Sequence, residues 1–578
     1  MAKILFIFVL PLVTLIASFL LRAASGPFWQ YSDPCYLYLF NAFQIIQGHV
    51  PWDVSHPGTP LQVLIAVSIW TFNIGRNASD TVLQALIDPE FYLRVVYIFL
   101  VLSSFLTSVI SGLYIWRKTN DKLAVLLVQC VNLSFLFLPS FNSGKFPVLP
   151  VVANVSPEPL MMAVMNLVNL FILGLYFSRE PHKSRHIIYL AVACGLGFAV
   201  KMNFIFILLA AFLLVPLRKK VFFMFVCALS FVIFTLPILS SYPQVFGWMT
   251  KMAGYSSRYG TGSQEFIDVG TFLLYLKQMI MHYWFFIVAA LSIFAWGLIR
   301  LIKDIQHRGA RFLTVLSFCF LLHIAATAKY FSIHYLLPAF GLFGSIFVLF
   351  YLDLKIPSEI RKGLTVVFIS IFTAVCAFYA LTYYQKLEAF TQDIGHFNER
   401  ISKKYPQCTV IPSTTGDMDF FLNEQEALQR ANGTAFRLES ESLFHLYPHS
   451  YYFFSEEVTS PDPNVESYGI WNYKYRVWGN DIVSSCPCAI FIKYTSDFSS
   501  YPYQVQLLER SKHLSAYLLT GSTEREANDY FAQTMDALKR GEYQRAMVLG
   551  LKSRQLNYQP QGQLDYILMM IYRKLQPA

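Results

Sequence analysis

The sequence predicts a polytopic α-helical membrane protein with about eleven transmembrane helices and a C-terminal extracytoplasmic α/β soluble domain ending in a helical hairpin. Three observations predict it. Of 578 residues, 55% are apolar and only 14% charged, against roughly a quarter charged in soluble domains. Apolar runs of about 18 or more residues, long enough for a ~30 Å hydrocarbon slab, follow one another as far as residue 384. Small Lys and Arg clusters punctuate them, so the net charge of +10 reads as membrane orientation and not as a nucleic-acid interface.

The runs lie near 4–21, 91–116, 123–139, 159–178, 221–240, 279–302, 312–328, 335–353 and 364–384. The stretch 186–217 holds two short spans, broken at Lys201-Met202-Asn203. The first run is longer than the usual apolar core of a cleaved signal, which favours a retained anchor. With the N-terminus cytoplasmic and 59–75 kept as a helix lying at the interface or dipping into it, inside a first outer loop, 22–90, five cationic clusters fall inside. They include Arg117 with Lys118, Arg218 with Lys219 and Lys220, and Arg308 with Arg311. Counting 59–75 as a span would put all five outside, against the positive-inside bias. An odd number of spans leaves everything after Tyr384 on the extracytoplasmic side.

From about 385 charged residues, Pro, Asn and Gly return, which defines a soluble α/β domain over 385–520. Alternating runs at 408–412 and 450–454 read as strands. Residues 521–578 carry two helical patterns around Lys539 to Tyr543 and a turn at 557–560, resembling one tetratricopeptide-type hairpin, here read as a helical cap. Cys408 has two candidate disulfide partners, Cys486 and Cys488. The other cysteines are spread mostly one per apolar run, without zinc or haem ligand spacing.

Rare polar residues outside the cytoplasmic clusters mark the candidate site. Asp33 precedes a pattern predicting an interfacial amphipathic helix that ends at Gly48, and a helix cap is the plainest role for it. Glu158 opens a span where the helix dipole favours a carboxylate. Lys201 stands alone in apolar sequence, and ionisable groups at membrane depth usually face a cavity. Lys329, His334 and Tyr335 share a short outer turn, which by itself would also serve as an aromatic belt with a snorkelling lysine. Together with His56 of the first loop, these groups combine cations for a lipid phosphate with a carboxylate able to take a proton.

The order of these features resembles the polyprenol-phosphate-sugar-dependent glycosyltransferases of the GT-C fold, which include protein O-mannosyltransferases and lipid A aminoarabinose transferases. The matching positions are Asp33, Gly48, His56-Pro57 with Pro60-Leu61, Arg94, Pro157-Glu158, the Gly195 to Lys201 run, and Lys329 with Tyr335-Leu-Leu-Pro338. The resemblance covers residues 1–384. This chain has Asp33-Pro34 where many relatives have Asp-Glu, and it stretches the Pro-Pro pair to Pro57-Gly-Thr-Pro60, so His56 stands where a phosphate-binding Lys is usual.

The resemblance implies an inverting, membrane-embedded transferase that takes a sugar from a polyprenyl-phosphate carrier to an acceptor hydroxyl on the extracytoplasmic face. Asp33 would be the general base and Glu158 would orient the acceptor or the surroundings of Asp33. Arg94, His56, Lys201, Lys329, His334 and Tyr335 would form the donor-phosphate and substrate contacts. The acceptor is left open among protein, lipid and polysaccharide, and a divalent metal is left open as a cofactor. The sequence contains no nucleotide-binding glycine loop, and it ends without an endoplasmic-reticulum retention signal, which points to a bacterial plasma membrane. A secondary transporter or lipid flippase using the intramembrane Lys and Glu is the alternative.

Overall fold

The computed structural model describes residues 5–28, 32–51, 54, 58–132, 151–180, 185–255, 264–329, 333–354, 356–413, 445, 451–455, 468–472, 476–494, 501–558 and 561–576. They form two compact units. The first comprises Met1–Gly26, Leu37–Thr81 and Asp88–Leu387, and the second Pro27–Tyr36, Val82–Ile87 and Glu388–Ala578.

The first unit is a helical membrane bundle. In chain order its helices are α1 (Val9–Ala24), α2 (Ser32–Ile46), α3 (Thr59–Phe72), α4 (Ala78–Ile87), α5 (Pro89–Thr119) and α6 (Lys122–Gln129). Then follow α7 (Pro157–Phe177), α8 (His186–Val200), α9 (Ile205–Leu214), α10 (Lys220–Phe234) and α11 (Tyr242–Gly254). The series closes with α12 (Val269–Lys303), α13 (Arg308–Thr327), α14 (Leu337–Gly341), α15 (Phe343–Asp353) and α16 (Ser358–Lys404). Helices α2, α4 and α16 cross the boundary between the units.

Local sequence sets many of these ends. Asp88 accepts from Phe91 N at 3.1 Å ahead of Pro89 at the first helical position, and α5 stops at Asn120, whose left-handed φ of 52° closes the last turn. Asp121 caps α6 through Leu123 N at 2.9 Å and accepts the Tyr351 hydroxyl at 2.6 Å, tying α6 to α15. Gly58, with φ of 50°, starts α3 so close to Tyr38 that an added Cβ would lie 2.5 Å from its ring.

Helix α7 is the hub, packed against α5, α8, α14 and α15. Its inward polar residues bind neighbouring segments: Asn166 donates to the Asn132 side-chain oxygen at 2.8 Å, and Asn169 donates to the Gly341 carbonyl at 2.7 Å while its own side-chain oxygen accepts the Ser345 hydroxyl at 2.6 Å. Ser104 donates to Pro159 O and Ser111 to Asn166 O, each at 3.1 Å. Small and amide side chains are the expected glue between helices in lipid, where apolar contact alone gives little preference over acyl chains.

Among the described residues seven helices are long and apolar enough to span a membrane, or eight when α10 and α11, with their flanking 3-10 turns bent by 96° at Thr235, count as one. The expected eleven differ because α8 and α9 are 15 and 10 residues long, and because the 123–139 run is described only to residue 132. At 14 residues, about 21 Å of rise, α3 is also shorter than the hydrocarbon slab. A second difference concerns α2. Its described side chains are mostly buried on all sides, Asn41 and Gln44 included, so it is not an amphipathic helix with one wet face. It begins at Ser32, which places Asp33 in the first turn and not ahead of it, and it ends at Ile46, with Gly48, φ 76°, in the turn that follows.

The second unit contains a four-stranded sheet, ordered β1 (Thr409–Ser413), β5 (Ala489–Tyr494), β7 (Leu514–Ser522), β6 (Tyr503–Arg510), in which β1 and β5 are parallel and the other pairs antiparallel. A smaller antiparallel sheet joins β2 (Tyr452–Ser455), β3 (Tyr468–Trp471) and β4 (Arg476–Val477). Helix α17 (Gly479–Ser485) precedes β5, and Ile411, Ile482, Phe491 and Leu519 belong to the core. Cys408 is bonded to Cys488, with Cα atoms 4.6 Å apart, which resolves the two sequence alternatives.

The C-terminal cap has three helices, not two: α18 (Glu524–Lys539), α19 (Tyr543–Gln555) and α20 (Gln561–Leu575). Phe531 of α18 stacks on Tyr558 at 4.1 Å between ring centres, and Leu564, Ile567 and Ile571 of α20 complete one core with them. A two-helix hairpin would leave that apolar face uncovered, which is the physical reason for the third helix.

Candidate functional site

The site is built on the break between α8 and α9. Lys201 is extended, with φ of −159° and ψ of 130°, and the 3-10 turn Met202–Phe204 restarts the chain into α9. The break turns the end of an apolar helix into a place where one lysine can leave the hydrophobic face. Lys201 is 6% exposed and donates to Glu158, 7% exposed, in a short hydrogen-bonded ion pair. Glu158 occupies the first turn of α7, the positive end of that helix, and His334 lies within electrostatic reach of its carboxylate.

Tyr335 joins the other side of this pair. The Lys201 ammonium lies 5.2 Å from the centre of the Tyr335 ring, and the His334 and Tyr335 rings meet edge-on at 4.4 Å. Asn203 donates to the Tyr335 carbonyl at 2.8 Å, and His323 Nε2 lies 2.9 Å from the same oxygen. The acceptor is a carbonyl, so His323 bears its proton on Nε2 there. His323 is fully buried, with its ring 4.9 Å from Phe206. The loop carrying Tyr335 is thus held by α13 and by the helix break.

Four of the sequence candidates, Glu158, Lys201, His334 and Tyr335, are therefore gathered in one place. The described hydrogen bonds of Lys329 go elsewhere, to Met252 O at 3.0 Å and Ala253 O at 2.6 Å at the C-terminal end of α11, with its ammonium 4.8 Å from the Phe266 ring centre. A cation there complements the helix dipole. Arg94 is exposed on α5 and makes no hydrogen bond or ion pair among the described residues. His56 lies outside the described residues, as does the side chain of Asp33. Val54, two positions before His56, packs with Met202, Ile238 and Val245, so the first loop reaches the residue following Lys201.

Asn203 and His323 were not singled out in the sequence. Asn203 carries a faint signal, a polar residue inside an apolar run next to Lys201, whereas His323 looks like any histidine in a span. Among the described residues no cluster of three His, Cys, Asp or Glu is placed to hold a metal ion. Chemically, the site offers a buried cation held by a carboxylate, an aromatic face and a neighbouring imidazole, an arrangement suited to an anionic group.

No protein-family model and no curated protein matches the chain. Among solved structures, the chain is similar to ArnT from Cupriavidus metallidurans bound to undecaprenyl phosphate, with a TM-score of 0.46, 12% identity, and coverage of 88% of this chain and 97% of that one.

Proposed function

We propose that this chain is an integral-membrane glycosyltransferase that moves a sugar from a polyprenyl-phosphate-linked donor to an acceptor hydroxyl on the extracytoplasmic face. The observation that carries the reading is Lys201: a lysine at a helix break, buried against Glu158 and the Tyr335 ring. The ordered sequence motifs around it supply the family resemblance. In the proposed reaction the acceptor oxygen attacks the anomeric carbon, its proton passes to the Asp33 carboxylate, and the bond from that carbon to the lipid phosphate breaks with inversion. The phosphate leaves with the electron pair, and Lys201 and His334, with His56 of the first loop, offset its charge.

A carboxylate bonded to Lys201 holds that ammonium in place, so Glu158 is proposed to position the cation for the donor phosphate. The Cys408–Cys488 disulfide requires an oxidising compartment and supports an extracytoplasmic C-terminal unit.

A broken helix carrying an ionisable group is also found in transporters, and the α8–α9 break favours that second reading. The two are separated by mass analysis of envelope glycans in a strain lacking the gene. The transferase reading expects one sugar to disappear and to return with the wild-type gene but not with Asp33→Asn. Unchanged glycans, with a lipid-linked sugar crossing sealed vesicles that contain the purified chain, would establish the transporter.

A further inference from the structure

The second unit has three cysteines within one small region, and only two are bonded. Cys486 is a free thiol two residues before Cys488. It caps the C-terminal end of α17, with its N–H donating to Ile482 O at 2.9 Å, so its position is fixed by a helix. Its sulfur is 3.5 Å from the Thr409 hydroxyl, and Thr409 is the residue directly after Cys408. Thr409 N also donates to Cys488 O at 2.9 Å, so the two bonded cysteines and the third thiol share one corner of the sheet. All three cysteines are partly exposed, which leaves the thiol and the disulfide sulfurs accessible to one another and to solvent.

We propose that Cys486 exchanges with the neighbouring disulfide, so that this unit interconverts between a Cys408–Cys488 form and a Cys408–Cys486 form. The Cys486 thiolate attacks the Cys408 sulfur, the new S–S bond forms, the Cys408–Cys488 bond breaks, and Cys488 leaves as a thiolate that takes up the proton Cys486 gave to solvent. One disulfide and one thiol are present before and after, so no oxidant or reductant is consumed. Attack on Cys408 is favoured over attack on Cys488, because a bond between Cys486 and Cys488 would close a ring across the single residue Pro487.

The two forms differ in what they hold. The Cys408–Cys488 bond sits immediately before the paired residues Thr409 and Ala489, and fixes the parallel register of β1 and β5. The Cys408–Cys486 bond ties β1 instead to the end of α17 and releases the first residues of β5. Exchange is therefore a thiol-controlled choice of where β1 is anchored.

The test is disulfide mapping of the full-length protein, alkylated at acid pH to stop exchange and digested without reduction. Wild-type protein held at pH 8.5 without oxidant is expected to show a Cys408–Cys486 peptide together with alkylated Cys488. The rate of its appearance should fall roughly tenfold per pH unit below the thiol pKa, as thiolate attack requires. In Cys488→Ser the Cys408–Cys486 bond should be the one recovered, and Cys486→Ser should retain Cys408–Cys488. Wild-type protein that shows only Cys408–Cys488 after prolonged incubation overturns the proposal, whatever the variants do. So does folded Cys488→Ser in which Cys408 and Cys486 are both alkylated.

Discussion

At the scale of single residues, Glu158 and Lys201 are each tolerable in the bundle only because of the other. Two opposite charges taken from water into a low-dielectric interior gain little net stability as a pair, but removing one leaves the other uncompensated. Lys201→Met and Glu158→Gln are each expected to lower the stability of the detergent-solubilised protein by about 3–5 kcal/mol, and the double substitution by less than the sum. Thermal unfolding of the four proteins measures the coupling, and additive losses would remove the pair from the account. Transfer activity should be lost in the double variant even where stability returns, because stability needs the charges only to match whereas a donor phosphate needs the cation.

The same two residues show what a sequence can and cannot disclose. Lys201 was legible because a lone cation in an apolar run is expensive and therefore informative. Glu158 was legible as a helix-start carboxylate, but its partner was not, since the two are 43 positions apart. His323 was opaque: its importance comes from a carbonyl 12 residues away on a loop that no periodicity points to.

At the scale of elements, the long helix α16 meets the β6–β7 hairpin within the second unit. Arg400 and Lys404 reach Glu509 at 3.0 and 2.6 Å, while Asp393 accepts from the Ser511 hydroxyl at 3.0 Å and His513 N at 3.1 Å. The His513 ring packs edge-on against Phe390 at 5.0 Å. Burial pushes the His513 imidazole below its ordinary pKa, partly opposed by Asp393, so the fold favours the neutral ring. The unfolded chain therefore binds more protons as pH falls through the ordinary histidine value of about 6.5, and stability falls with it.

The hydrogen bond from Lys404 lowers the Glu509 pKa, so the contribution of Glu509 is present at neutral pH and is lost as pH drops through its depressed folded value. Denaturant unfolding of the second unit in the intact protein, followed from pH 7.5 to pH 5, should show a loss that His513→Gln abolishes. A pH-independent midpoint in the wild type would contradict this. Strand positions in this unit were legible from alternation at 408–412 and 450–454, and strands run at Thr409–Ser413 and Tyr452–Ser455. The third helix of the cap was not, because its apolar stripe is shared with a neighbour instead of being self-contained.

At the scale of the whole molecule, the low average charge conceals two regions with different solvents. Up to α15 the chain buries backbone and polar groups within helices, as lipid demands. The 47-residue α16 then carries it into a unit whose sheet is pinned by a disulfide closing 80 positions of sequence. Cys408→Ser should lower the stability of that unit by up to about 4.5 kcal/mol, the loop-entropy limit for a closure of this length. Limited proteolysis of the intact protein would register it as earlier cleavage in the second unit with the bundle fragment unchanged, and an unchanged pattern would deny the disulfide a stabilising role.

Bundle class and the α8–α9 break were legible from hydropathy and charge alone. The number of long helices was not, because a short helix such as α9 has the same composition as half a span.

Sugar transfer from a lipid phosphate with Asp33 as the base is tested most directly with purified protein in liposomes, supplied with a polyprenyl-phosphate sugar and extracted envelope acceptor. Asp33→Asn should insert and unfold like the wild type while lowering the rate of lipid-phosphate release by about 10²–10⁴-fold, the usual range for a lost general base. Release at the wild-type rate from a correctly folded Asp33→Asn protein would contradict the claim.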